Sequence, residues 1–138
     1  MRKMGLDYGE ARIGVALSDL SGTIATPLTV YKQTDQTKTL NFLTDLAKKN
    51  EVDAFIVGLP VNMDGTEGPR AVKTRQFGQQ LTEFSNIPVV YCDERLTSLD
   101  ADDILKESGM PWQQRKLVVD KVAAGLILQS YLDVHKKK

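Results

Sequence analysis

The order of the strands predicted from this sequence constrains its fold more than any other feature. Apolar runs at residues 4–8 and 13–18 predict two strands, and residues 9–12, which begin with Gly9, predict a hairpin connection between them. A third strand is predicted at residues 27–31, where Pro27 favours an edge position. The chain is therefore expected to begin with a three-stranded antiparallel meander.

The rest of the sequence alternates helical periodicity with short apolar runs, which are typical of parallel strands buried on both faces. Together with the meander, this order predicts an α/β fold in which a mixed five-stranded sheet is flanked by helices, within a single domain at residues 1–138. Neither a dinucleotide-binding glycine motif nor a P-loop motif occurs. The predicted helices lie at residues 37–50, 71–84, 97–108 and 112–134, the strands at 54–57 and 89–92, and the core contacts of the second helix at Val72, Phe77 and Leu81.

Composition restricts the classes of protein to which the chain can belong. The 138 residues carry a formal net charge of zero, so no global charge points to nucleic acid, although a local basic patch would be enough to bind it. Cys92 is the only cysteine, which excludes an intramolecular disulfide and fits a reducing, cytoplasmic setting. No signal peptide and no membrane span are expected from the apolar runs.

Acidic residues fall where an open α/β sheet places its functional sites, at the carboxyl ends of strands. Asp7 closes the first predicted strand, and Asp93 and Glu94 close the last one. Asp120 shares a face of the last helix with apolar residues, which predicts that it points towards the sheet. Converging carboxylates repel one another unless a hard cation such as Mg²⁺ is bound among them. The apolar residues that share the helix face with Asp120 are Ala123, Ala124, Ile127, Leu128 and Tyr131.

Each acid also has a structural interpretation. Asp7 would cap the hairpin turn, and Asp93 would cap the following helix. Glu94 would pair with Arg95 on the surface. Asp120 would pair with a lysine of its own helix, and the candidates are Lys116 and Lys121.

Basic residues near these acids are the candidates for contacts with phosphate. Arg12 and Arg95 each lie within a few residues of a proposed acid in the sequence. Gly65 and Gly68 would let backbone N–H groups approach a phosphate at a helix N-terminus, although the positive charge in the first turns of that helix is equally typical of a solvated face. The predicted substrate-binding residues are Arg12, Arg70, Lys73, Arg95 and Thr97.

Four segments of the chain resemble the YqgF, or RuvX, family of RNase H-like proteins, which are related to RuvC-type Holliday-junction resolvases. They are "LDYGEARIGVALSD", "VGLPVNMDGTEG", "DERLTS" and "VDKVAAGLILQSYL", and they span nearly the whole chain in order. The resemblance implies a metal-dependent endonuclease whose catalytic and metal-binding acids are Asp7, Glu94 and Asp120, with Mg²⁺ or Mn²⁺ as the cofactor. Related resolvases carry an acid near the end of the fourth strand, where this chain reads Gly58-Leu59-Pro60, so Glu94 would have to substitute for it.

The family resemblance also suggests a biological role. It implies processing of the 5′ end of precursor 16S ribosomal RNA in ribosome biogenesis, with RNA favoured over DNA as the partner. Resolution of Holliday junctions is the alternative, and it would require a homodimer because a junction is cut at two sites. Two other interpretations stay open: an ATP-binding module of the kind found in actin-like and sugar-kinase folds, and a non-catalytic RNA-binding assembly factor.

Overall fold

The computed structural model describes residues 1–94 and 101–135 of the chain. The predicted helix at residues 97–108 is therefore seen only from residue 101 onwards, and its first residues lie outside the described ranges. The strands are β1 (Arg2–Tyr8), β2 (Arg12–Ser18), β3 (Ala25–Lys32), β4 (Val52–Leu59) and β5 (Val89–Asp93), and the helices are α1 (Gln36–Lys49), α2 (Pro69–Ser85), α3 (Ala101–Glu107) and α4 (Trp112–Val134).

The strands form one mixed five-stranded sheet in the order β3-β2-β1-β4-β5. β1 pairs antiparallel with β2, and β2 pairs antiparallel with β3, whereas β4 pairs parallel with both β1 and β5. The predicted fold class is thus confirmed, including the antiparallel start. Pro27 lies on the edge strand β3, opposite Ala16, where the register shifts because proline has no N–H to donate to the ladder.

The two faces of the sheet are covered by different helices, and β1 shows why. Met4 and Leu6 point into a core that includes residues of α1 and α2. Gly5 points to the other face, where a Cβ would lie 2.8 Å from the backbone oxygen of Ala124. Gly5 lies on the α4 face because side chains alternate between the two faces of a strand. Since glycine has no side chain, α4 can pack closely against the sheet at this point.

Two details of the predicted packing are wrong. β5 was expected to be buried on both faces, but it is an edge strand and is only partly buried. Val72 was expected in the core and is 48% exposed, because α2 buries a neighbouring stripe that includes Ala71, Phe77 and Leu81. Helical spacing alone did not distinguish the two stripes. Among the helices of the described ranges, none has the length and apolar character to cross a membrane.

Candidate active site

Asp7 lies near the end of β1, the central strand of the sheet, and on the face covered by α4. Its side chain points to this face because Gly5, two residues earlier, does so. On β2 the residue paired with Asp7 is Gly14. On β4 the pairing of Leu6 with Val57 puts Gly58 at the next position, beside Asp7. A carboxylate in the middle of the sheet is thus flanked by a glycine on each neighbouring strand.

Gly14 brings α4 next to Asp7. A Cβ added at Gly14 would overlap the backbone oxygen of Asp120, so the helix backbone rests directly on this glycine. Paired Cα atoms of antiparallel strands are about 4.5–5.5 Å apart, which sets Asp120 close to Asp7. The prediction that Asp120 lies on the inward face of the last helix agrees with this contact, and with the burial of Ala124 and Leu128 on α4.

Gly58 provides the space for Glu94. The carboxylate oxygen Oε1 of Glu94 lies 2.8 Å from the point where a Cβ of Gly58 would be. Glu94 comes from the end of β5, where Cys92 pairs with Gly58. The Glu94 carboxylate, just after β5, and the end of the Ile127 side chain therefore lie where a side chain at Gly58 would otherwise be. That Glu94 substitutes for an acid in Gly58-Leu59-Pro60 stays a prediction.

The three acids interact electrostatically. The pKa of Asp7 is raised from 3.8 to about 7, first by burial and then by the negative charges of Glu94 and Asp120, while Arg70 opposes the shift. Burial also raises the pKa of Glu94, and the charge of Asp93 adds to this effect, with Arg70 again opposing it. Perturbed carboxylates of this kind are characteristic of functional sites. The site therefore favours a protonated Asp7, or a cation that replaces the proton.

Asp120 has a partner of its own in this structure. Arg12 Nε donates a hydrogen bond of 2.8 Å to Asp120 Oδ2, and the Asp120 side chain is 24% exposed. The partner is thus a residue of β2 and not Lys116 or Lys121 of the same helix. Within the described residues, as their side chains are oriented, no three histidine, cysteine, aspartate or glutamate residues are grouped so as to hold one metal ion. The role of the three acids as metal ligands stays a prediction.

The predicted phosphate-binding residues have different environments. Arg70, in the first turn of α2, lies near the acids, since its charge lowers the pKa of both Asp7 and Glu94. Lys73, one turn later, forms an ion pair with Glu10. Arg95 and Thr97 lie outside the described residues. Arg70 is therefore the basic residue of α2 that is best placed for a phosphate at the acidic site.

Gly14 and Gly58 are the residues of the site that the sequence interpretation missed as contributors. A glycine inside a strand often marks a place where another chain segment approaches closely, and both residues lie inside strands. That signal was available, but it does not say which segment approaches. The partners, Asp120 and Glu94, are far away in the sequence and become neighbours only through the order of the strands.

Comparison with solved structures defines the class of protein to which this fold belongs. RuvC of T. thermophilus in complex with a Holliday junction substrate superimposes with a TM-score of 0.64 at 13% sequence identity, covering 100% of this chain and 98% of that one. The resolvase of fowlpox virus with Holliday junction DNA gives a TM-score of 0.60 at 15% identity, covering 99% and 100%. The chain thus has the RNase H-like fold of RuvC.

Sequence comparison then gives the family. Residues 1–134 match the RuvX family model, described as "Holliday junction resolvase", and the chain belongs to that family. A relative from Thermoanaerobacter pseudethanolicus is 48% identical over 139 residues and covers 100% of both chains. One from Streptococcus thermophilus is 46% identical over 136 residues, covering 96% of this chain and 98% of the relative. Both carry the name "Putative pre-16S rRNA nuclease". The predicted family is confirmed, and the nuclease class agrees with these descriptions.

Proposed function

We propose that the protein is a divalent-metal-dependent endonuclease that processes the 5′ end of precursor 16S ribosomal RNA in the cytoplasm, with residues 1–138 as one nuclease domain. The observation that carries the proposal is the position of Asp7 between Gly14 and Gly58, with Asp120 over one glycine and Glu94 over the other. The family membership and the name shared by the two relatives support the choice of reaction and of substrate.

Asp7, Glu94 and Asp120 would hold the metal ion, and we propose Mg²⁺ or Mn²⁺. The donor set suits such an ion because it consists of carboxylate oxygens, the ligands that hard divalent cations prefer. The pKa of Asp7, raised first by burial and then by the charges of the other two acids, supports this choice, because a bound cation would favour the ionised carboxylate. When bound, the cation would stabilise the charge that develops on phosphate oxygens during cleavage.

The basic side chains near the acids would position the substrate. Arg70 lies beside Asp7 and Glu94, where its guanidinium can hold a phosphate with two hydrogen bonds. Arg12 is bound to Asp120 in this structure, and it would turn to phosphate when that carboxylate binds a cation. Lys73 would add positive charge on the next turn of α2, and Arg95 and Thr97 are proposed contacts from the segment that follows Glu94.

The proposed reaction is tested with a panel of labelled substrates incubated with Mg²⁺, with Mn²⁺ or with a chelator. The panel contains a fragment that spans the 5′ end of 16S ribosomal RNA and its precursor sequence, an unrelated single-stranded RNA, single-stranded DNA and a four-way DNA junction. We expect cleavage of the precursor fragment in either metal and none in chelator. A folded protein that cleaves no member of the panel in either metal would contradict the proposal.

Holliday-junction resolution is the second candidate function. The description of the family and the similarity in fold to RuvC in complex with a junction favour it. Resolution of a junction needs two active sites in one assembly, so this function would require a homodimer. Symmetrical cleavage of the four-way junction, together with a dimeric mass in solution, would favour it over RNA processing. A protein that binds ATP, or RNA without cleaving it, would point to the two non-nuclease interpretations.

A further inference from the structure

A cavity lies on the opposite face of the sheet from the acids, near the same end of β1. Its volume is about 400 Å³, and it lies among the ends of β1 and β3, the start of α1 and the middle of α2. Four of its side chains are glutamines, so we call it the glutamine pocket. The residues that matter here are Tyr8, Gln33, Gln36, Gln76, Phe77 and Gln80.

An aromatic surface forms one wall of the glutamine pocket. The rings of Tyr8 and Phe77 are stacked with their centroids 4.3 Å apart and an interplanar angle of 22°. Phe77 is buried, whereas Tyr8 is only partly buried. Tyr8 directly follows Asp7 in β1, and successive side chains of a strand point to opposite faces. Tyr8 in the wall of the pocket and Asp7 in the candidate active site are therefore adjacent residues whose side chains lie on opposite faces of the sheet.

The rest of the pocket is lined mainly by neutral hydrogen-bonding groups. The amide of Gln33 donates to the backbone oxygen of Gly9 and accepts a 3.2 Å hydrogen bond from the Thr39 hydroxyl. The amides of Gln36 and Gln80 bind each other across the gap between α1 and α2. Amides offer both donors and acceptors, as the edges of nucleobases do, and an aromatic ring accepts any base by stacking.

A smaller cavity of about 230 Å³ adjoins the glutamine pocket on the side of Arg70. It is lined by Tyr8, Glu10 and Lys73, which also line the glutamine pocket, and by Arg70. The positive charge at the end near the acids comes from Arg70, since Lys73 is paired with Glu10, and the far end has mainly neutral amides together with Asp35, which caps α1. This order matches a nucleotide whose phosphate is near Arg70 and whose base lies beyond Lys73.

We propose that the glutamine pocket binds an unpaired nucleobase of the substrate strand, next to the phosphodiester held at Asp7. The inference rests on the proposed nuclease function and adds to it a subsite that reads one nucleotide. A base can enter the pocket only when it is unstacked from its neighbours, so the proposal also assigns the substrate to unpaired strands rather than to a continuous duplex.

The test measures the binding of single-stranded RNA that contains one abasic nucleotide, moved stepwise along the strand. Fluorescence anisotropy in chelator keeps the strand intact. For the wild type we expect one position at which loss of the base weakens binding about fivefold to fiftyfold, as expected when a stacked base is lost. The double variant Gln76→Ala/Gln80→Ala should bind the intact strand correspondingly more weakly and should no longer respond to the abasic nucleotide at that position.

Two further variants make the result specific. Gln79→Ala is the matched control, because Gln79 is also an exposed glutamine of α2 but bonds to Glu83 instead of lining the pocket. It should behave as the wild type. Tyr8→Leu, with folding checked by its thermal melt, should also lose the response at the single position. The double variant replaces exposed residues, so its folding is not expected to change.

Failure of this inference can be distinguished from failure of the nuclease proposal. If the wild type cleaves the precursor RNA but the double variant responds to every abasic position as the wild type does, the pocket does not bind a base and the inference is wrong. If the wild type shows no position-dependent loss, it is equally wrong. If the wild type neither binds nor cleaves RNA, both proposals are wrong.

Discussion

In the folded protein the pKa of Asp7 is raised to about 7, because burial and two other carboxylates oppose its ionisation. The cost of a buried charge is partly offset when a partner of opposite charge is bound. Arg12 already has this effect on Asp120, with 2.8 Å between Nε and Oδ2. Asp7 has no such ion pair in the described part of the structure, so its charge is the one that a bound cation would stabilise most.

The first prediction concerns the charge of Asp7 in catalysis. Asp7→Asn keeps the size of the side chain and one oxygen but removes the charge that would hold a divalent cation. We expect the rate of single-turnover RNA cleavage in Mn²⁺ to fall about 10²-fold or more, because metal catalysis supplies several kcal/mol of transition-state stabilisation. Asp45→Asn, on the exposed side of α1, is the control and should cleave as the wild type does. A folded Asp7→Asn protein with wild-type activity would disprove the carboxylate–metal mechanism.

The second prediction concerns the pH dependence of stability in chelator. The folded protein binds a proton at Asp7 up to about pH 7, whereas the unfolded chain loses it near pH 3.8. Between these values the folded state holds more protons, so the free energy of unfolding falls as pH rises. The decrease due to Asp7 approaches about 4 kcal/mol at pH 8.

Urea denaturation at several pH values in chelator tests this prediction. Asp7→Asn should be more stable than the wild type at pH 8, with little difference below pH 4. Some decrease with pH should remain in the variant, because burial also raises the pKa of Glu94. Adding Mn²⁺ at pH 8 should stabilise the wild type and not the variant. Equal stabilities at pH 8 would show that Asp7 is not perturbed in the folded protein.

At the scale of elements, Gly14 and Gly58 determine how closely the backbone of α4 and the side chain of Glu94 approach the middle of the sheet. They have different contacts, which allows their roles to be separated. At Gly58 the nearest atoms are at the flexible ends of side chains, whereas at Gly14 they belong to the backbone of α4. A side chain can rotate away from an added methyl group, but a packed helix has to move as a unit.

The third prediction compares these glycines. Gly58→Ala should fold with a modest loss of stability but lose cleavage activity by an order of magnitude or more, because its Cβ would lie 2.8 Å from Glu94 Oε1 and 2.5 Å from Ile127 Cδ1, so that both side chains would have to move. Gly14→Ala should lose stability by about 1–3 kcal/mol or more, as overpacked cores do. Gln79→Ala, at an exposed position inside α2, is the stability control and should melt as the wild type does. The interpretation is wrong if Gly14→Ala melts as the wild type does.

Local pattern was enough to predict the existence of the five strands and the four helices that the described residues form. Asp7 could be predicted as a site residue because a single acid interrupts an apolar strand just before a turn. The pairing of Asp120 with Arg12 could not be predicted, since the two residues are 108 positions apart and meet only after α4 docks on the sheet. The burial of β5 was overestimated because an apolar run does not show whether a strand lies at the edge of the sheet.

At the scale of the whole molecule, the formal net charge is zero, so long-range attraction to nucleic acid is weak. Affinity must then come from a few local cations. Four basic residues were predicted as substrate contacts: Arg12, Arg70, Lys73 and Arg95. Arg12 and Lys73 form ion pairs with carboxylates in the free protein. Their contacts with phosphate therefore replace existing interactions and contribute less than free cations would.

The fourth prediction follows from this small number of cations. For single-stranded RNA, the logarithm of the association constant should fall with the logarithm of salt concentration with a slope no steeper than about −3, the value for four full phosphate contacts. Arg70→Gln should make the slope shallower by about 0.7 and weaken binding of all sequences similarly. Lys48→Gln removes the same charge from the last turn of α1, next to the start of β4 and far from the carboxyl end of β1, and should leave the slope unchanged. Fluorescence titrations over a range of salt concentrations measure these slopes. An Arg70→Gln protein with the wild-type slope would place the phosphate path elsewhere on the surface, since a cation that contacts phosphate cannot be removed without changing the number of counterions released.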